Sequence, residues 1–225
     1  MKSEEELIDS RVLPPTIPSI CFDKKTKQPA WVFQITQPDH SVTSLSNNFK
    51  DYYQDISIPK HQQASEEDYE NSKWVVGNYL FPFPKDMKKW TDENPNDQYL
   101  FSVTSPQKKE LNQGYWEKLN DRVKQIYLNK KGDLNPGFGV FSGPLFLVNE
   151  SEELRFLGKN KIPVPTHFFV IIIPNSNGEY MEAYVIPNEK IQEKTPLKNF
   201  EVPLKKLKTL SGIKGIENVN NLMFL

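Results

Sequence analysis

The chain reads as an α+β protein, a central and mainly antiparallel sheet flanked by helices, and three features of its 225 residues carry that expectation. Two runs, Ala30 to Ile35 (AWVFQI) and Gly139 to Val148 (GVFSGPLFLV), are dense in β-branched and aromatic residues and bounded by Pro or Gly, as strands are. A second pair, Phe168 to Ile173 and Tyr180 to Ile186, is joined by Pro174-Asn-Ser-Asn-Gly178, whose Asn and Gly readily supply positive φ, so it predicts a hairpin. Between the strand blocks, Asn112 to Leu128 places Trp116, Leu119, Val123, Ile126 and Tyr127 on one stripe at three- and four-residue spacing, which predicts an amphipathic helix. The Gly132 to Gly137 stretch (GDLNPG) ends it.

Taken in order, the chain opens on MKSEEELIDSR, acidic and without an apolar core segment, so no targeting signal is expected there. Val12 to Pro18 (VLPPTIP) carries three prolines in seven positions, which forbids a helix and favours extended chain. The expected division is therefore an extended N-terminal arm over residues 1–20 and one domain over 21–225. The longest apolar run, Phe168 to Ile173, is far shorter than the ~20 residues of a membrane-spanning helix. Lys205, Lys206 and Lys208 read as a solvated face, and the tail Asn218 to Leu225 (NVNNLMFL) ends in apolar residues suited either to a partner or to the chain's own core.

Composition narrows the function. Hydrophobic residues at 37% and aromatics at 12% are enough to build a core. With 28 Lys+Arg against 29 Asp+Glu there is no general excess of positive charge to coat a phosphate backbone, although a local basic patch is compatible with that balance. The single cysteine, Cys21, excludes an internal disulfide and a cysteine-rich zinc module, and no His-Asn pattern beside it marks a nucleophile. Three histidines remain: His40 in a turn signal (QPDH), His61 in a polar loop (PKHQQ), and His167 in VPTHFF, where a hydrogen-bonded structural role is expected.

A series of motifs carries a resemblance. In order these are Phe22 to Trp31 (FDKKTKQPAW), Ser65 to Ser72 (SEEDYENS), Ser105-Pro-Gln107 followed by Leu111 to Trp116 (LNQGYW), Ser142 to Phe146 (SGPLF), Val164 to Phe169 (VPTHFF), Tyr184 to Asn188 (YVIPN) and Phe200 to Gly212 (FEVPLKKLKTLSG). From Phe22 to Ile216 the sequence resembles the DNA/RNA non-specific endonucleases of the ββα-metal fold, within them most closely the mitochondrial endonuclease G branch. In that family a histidine of an Asp-Arg-Gly-His motif takes a proton from the attacking water. One Mg²⁺ held by an asparagine stabilises the phosphate, assisted by an arginine and by a helix glutamate that orients metal-bound water.

The site positions depart from that pattern. The aspartate and arginine positions hold Val75 and Val76, Gly77 keeps the glycine, and the histidine position holds Asn78, whose amide has no titrating lone pair near neutral pH. Asn112 matches the metal-binding asparagine, and a helix N-terminal cap is the favoured use of it when it stands alone. The glutamate expected two turns later is Asn120, and the asparagine before Ser-Pro-Gln is Val103. Around Phe49 no arginine occurs, and Lys50 lacks the bidentate fork.

The reading of these residues is a catalytically inactive nuclease-fold protein, not an enzyme, with no catalytic residue, no cofactor and no metal beyond a vestigial Asn112. Its expected role is a structural subunit of a larger mitochondrial assembly, a respiratory-chain complex or the mitochondrial ribosome, or else a homodimer, peripheral to any membrane and without nucleic acid as partner. The mitochondrial placement is what the resemblance implies. Two alternatives stand beside this reading: a Mg-dependent DNA/RNA endonuclease with a rearranged site, for which His61 is the candidate base, and a nucleic-acid-binding module that does not cleave.

Overall fold

The structure is a computed structural model that describes residues 8–11, 18–36, 47–81, 99–129, 138–148, 153–174 and 181–213. Most of the proline-rich arm, His40, the hairpin turn 175–178, the GDLNPG stretch and the apolar tail lie outside the described residues. Six strands form one sheet in the order β1-β2-β3-β6-β9-β10. These are β1 (Ile8–Arg11), β2 (Ser19–Asp23), β3 (Gln28–Thr36), β6 (Phe138–Leu145), β9 (His167–Pro174) and β10 (Glu182–Pro187), and every neighbouring pair is antiparallel. The expected strands over 30–35 and 139–148 are thus β3 and β6, and the expected hairpin is β9–β10 with Glu182 opposite Ile172 and Pro187 opposite His167.

The unbroken apolar run in β9 follows from burial on both faces of the sheet, since successive side chains alternate. Phe168, Val170 and Ile172 join Val140, Tyr184 and Ile186 on one face, under α2 (Trp116–Asn129). Phe169, Ile171 and Ile173 pack with Phe33, Phe141 and Leu207 on the other, where α3 (Leu204–Ser211) lies. Cys21 is buried in β2, and that burial pushes its thiol up to about 11, which leaves no thiolate for chemistry.

Helix α2 presents the predicted stripe: Trp116, Leu119 and Val123 are buried against the sheet. Its beginning differs from the expectation. Helical backbone starts at Lys109, and Leu111–Tyr115 form a π-turn, so Asn112 sits inside a continuous helix rather than at an N-cap. The wider turn rotates Asn112 inward beside Leu111 and Tyr115, all three buried.

A clamp fixes α2 to the edge strand. Arg122 Nε donates to Glu182 Oε2 at 3.0 Å, its second nitrogen reaches the other carboxylate oxygen, and the Tyr184 hydroxyl also donates to Glu182. Burial pushes the Glu182 carboxyl up, but the hydrogen bonds from Arg122 and Tyr184 outweigh it and hold the group below its ordinary value. A carboxyl depressed in the folded state stabilises above its unfolded pKa, and that contribution is lost as pH falls through the folded pKa. Glu182→Gln is therefore expected to lower the Tm at neutral pH and to flatten the acid limb of a Tm-against-pH curve; parallel acid limbs for the two proteins would contradict this.

A separate antiparallel pair, β4 (Trp74–Asn78) and β5 (Thr104–Lys108), lies beside the main sheet. Buried polar side chains tie the two together. Asn188, just past β10, donates to the carbonyls of Pro106 (3.1 Å) and Pro165 (2.8 Å) and accepts from Lys108 N (2.8 Å). Gln34 of β3 donates to Phe81 O and accepts from Phe81 N, and the Tyr79 hydroxyl donates to Ser105 Oγ at 2.7 Å. A short hairpin, β7 (Phe156–Leu157) and β8 (Ile162–Pro163), packs with the one-turn helix α1 (Glu66–Tyr69) around a third cluster that includes Tyr69, Trp74, Val76 and Phe101.

Candidate functional site

The site positions expected from the sequence converge where the π-turn crosses the antiparallel β4–β5 pair. Along β4, side chains alternate: Trp74 and Val76 enter the third cluster, and Gly77 faces the opposite side with its cross-strand neighbours Gln107 and Ser105. Val76 is fully buried and Val75 half-buried, so the Val-Val step is ordinary strand packing. Gly77 is required by close approach: a Cβ there would stand 2.7 Å from Gln107 Cβ and 2.8 Å from Gln107 Oε1.

The room that Gly77 leaves lets Gln107 meet Asn112. Asn112 Nδ2 donates to Gln107 Oε1 at 2.6 Å and lies 3.5 Å from Val76 O, while Asn112 Oδ1 accepts from Asn47 Nδ2 at 2.9 Å. The Val76 and Gln107 oxygens can only accept here, which fixes the orientation of the Asn112 amide and points its oxygen at Asn47. Asn78 is held separately: its Nδ2 donates to the Tyr52 hydroxyl at 3.1 Å and its Oδ1 accepts from Leu80 N at 2.8 Å. Asn112 and Asn78 are each tied to a different residue of the segment 47–52. Burial pushes the Tyr52 hydroxyl far up, so it serves Asn78 as a neutral phenol.

The other singled-out residues lie around this core. Val103 is buried before β5, and Asn120 is half-buried on α2, two turns beyond Asn112. Lys50 is exposed on the 3₁₀ turn Phe49–Asp51 beside Asn47 and Asn48. His61 is exposed on the turn Lys60–Gln62, and His167 is half-buried with its Nδ1 3.0 Å from Thr166 Oγ1, in keeping with a structural role. Asn47, Tyr52 and Gln107 were missed as partners of the site, although Gln107 stands in the quoted Ser-Pro-Gln motif and the other two flank Phe49 and Lys50. Their contacts cross up to 65 residues of chain, and no local spacing reports them.

The donor set around Asn112 does not fit a divalent cation. Its oxygen is uncharged and already accepts from Asn47, and among the described residues no group of three or more His, Cys, Asp or Glu converges on one point. A hard dication needs several oxygens, some of them charged, and this cradle offers amides.

A six-stranded antiparallel sheet, the antiparallel β4–β5 pair and a helix crossing it at Asn112 define the ββα nuclease class. The profile of the DNA/RNA non-specific endonuclease family matches residues 8–222, and the chain belongs to that family. It is similar to mitochondrial endonuclease G of Bos taurus, 28% identical over 89% of this chain and 67% of that protein. It is similar also to mitochondrial Nuclease 1 of Schizosaccharomyces pombe (29%, over 88% and 63%) and mitochondrial nuclease EXOG of Mus musculus (24%, over 87% and 54%). Among solved structures, the EndoG/EndoGI complex shares the fold with a TM-score of 0.75 at 24% identity, over 94% of this chain and 87% of that one. The mitochondrial names of these relatives agree with the mitochondrial placement expected from the resemblance.

One expectation is corrected here. The chain was expected not to be an enzyme because Val75, Val76 and Asn78 replace the charged motif, yet the proteins that align with almost its whole length are named as nucleases. The physical gap in that expectation is that losing a base at one strand position removes that base only. A proton can be taken by any group that reaches the attacking water.

Proposed function

We propose that the chain acts on nucleic acid as a phosphodiester hydrolase whose site is rearranged relative to its relatives. The observation that supports this most is the family match from residue 8 to residue 222, joined to a fold in which the helix crosses the β4–β5 pair at Asn112. In this reading Lys50 and the amide of Asn47, on the segment that covers Asn112, draw a phosphate to the mouth of the site. His61, an exposed imidazole on the loop leaving that segment, takes the proton from water, histidine being the most frequent general base in such transfers. Purified chain is expected to cleave plasmid DNA or single-stranded RNA, in parallel incubations with Mg²⁺, with Mn²⁺ and with chelator. Intact substrate in all three would count against the proposal.

A second reading concerns partners and is compatible with the first. The similar EndoG structure is a complex with EndoGI, which favours protein partners for this chain too. Among the described residues no helix is long and apolar enough to cross a membrane, so a place in a larger mitochondrial assembly would be peripheral. Migration of the chain with a large complex in gently solubilised mitochondria supports this reading, and migration as a free monomer opposes it.

A further inference from the structure

We propose that the loop Tyr53–Gln63 is a docking platform for unpaired nucleotides of a single strand, with Tyr53 stacking a base and Lys60 meeting the phosphates. The inference rests on the reading that the chain acts on nucleic acid, and it names the form of nucleic acid taken.

The loop is built as a rigid surface. Its ends are close, and its interior is one fully buried side chain, Gln63, whose Oε1 accepts from Asp55 N and whose Nε2 donates to the carbonyls of Asp55 and Ile58, each at 2.7 Å. Asp55, also buried, accepts from Ser57 N at 2.9 Å and from the Ser102 hydroxyl at 3.1 Å, which anchors the loop to the turn before β5. Gln54 Nε2 reaches Lys60 O and Ala64 O across the loop, at 3.2 and 3.3 Å. Such a compact loop holds its surface in place before a partner arrives and loses little entropy on binding.

What the loop presents is an aromatic ring, an apolar tip and a cation. Backbone alternation turns Tyr52 inward and Tyr53 outward: Tyr53 N donates to Tyr99 O at 2.8 Å and Tyr53 O accepts from Phe101 N at 2.9 Å, yet its side chain is 52% exposed. Three residues on, Ile56 is fully exposed. The loop's only carboxylate, Asp55, is hydrogen-bonded inside it, so its solvent face carries the charge of Lys60. Glu66 and Glu67 lie beyond the loop, in α1, with Glu67 paired to Lys159. An outward aromatic face on a loop that also exposes an apolar tip and a cation suits a base with its phosphate, whereas a duplex keeps its base faces stacked and offers phosphates alone.

The test is fluorescence anisotropy with labelled single-stranded and hairpin-duplex oligonucleotides in chelator, the full chain being used throughout and its fold checked by thermal unfolding. Expected are tighter binding of the single strand and a roughly tenfold loss of it in Tyr53→Ala, the scale of one stacked base. Tyr53→Phe should bind like the wild type, and Lys60→Ala should lower the salt slope by about 0.7. Equal binding by Tyr53→Ala, or preference for the duplex, overturns the inference and leaves the hydrolase reading standing. Tyr53-dependent binding in a chain that cleaves nothing supports the platform and overturns the hydrolase reading. No binding to either oligonucleotide overturns both.

Discussion

Trp116→Ala is expected to cost about 3–5 kcal/mol of stability, read as a lower denaturant midpoint at unchanged slope. Trp116 is the first residue of α2 after the π-turn and packs its indole between Phe81, at 6.2 Å between ring centres, and Phe168, at 5.5 Å edge to face. Removing it leaves a cavity lined by two rigid rings and by Leu119, which the sheet cannot close by shifting one strand. The effect reaches the site because Trp116 fixes the helix that carries Asn112: the Asn112 to Gln107 hydrogen bond depends on a helix seated to within a few tenths of an ångström. A loss under 1 kcal/mol would mean that α2 is not seated on the sheet as described.

The second large effect is expected at Asp68, far from the amides of the site. Its buried carboxylate accepts from Ser65 N and the Ser65 hydroxyl, both at 2.9 Å, closing a capping box, and from Asn160 N at 2.9 Å and Asn160 Nδ2 at 2.7 Å. One side chain thus joins α1 to the β7–β8 hairpin. Asp68→Ala takes the acceptor from four part-buried donors and is expected to cost about 3 kcal/mol. Gly158 shows how tight this joint is, with φ +60° and space for a Cβ only 2.2 Å from Asp68 Oδ1. Gly158→Ala should therefore be destabilising for two reasons, backbone strain and collision. If Asp68→Ala unfolds at the same denaturant concentration as the wild type, the joint carries no stability.

The elements most legible in the sequence are those with strong periodicity or turn chemistry. The β9–β10 hairpin, β3, β6 and the stripe of α2 all announce themselves through β-branched and aromatic runs, Asn/Gly turns or three- and four-residue spacing, and the ordered motifs add the family. The π-turn is illegible for a physical reason: one extra residue per turn costs little and is decided by what Leu111, Asn112 and Tyr115 pack against. The same holds at the site. The sequence names Asn112, Gly77 and Asn78 but not the hydrogen bonds that use them, because Asn47, Gln107 and Tyr52 are brought in by tertiary packing. Reading Val75, Val76 and Asn78 as proof of inactivity overstepped in the same way, since a replaced motif says which group is gone and not which others can reach a phosphate.

The most direct test of the account is the rate of cleavage of a single-stranded oligonucleotide by the purified chain, measured beside His61→Ala prepared in parallel and shown to fold by its thermal transition. The account predicts cleavage by the wild type and a fall of about a hundredfold or more in the variant, the scale of one general base. Equal rates in the two proteins, or no cleavage by the wild type under any cation, would contradict it.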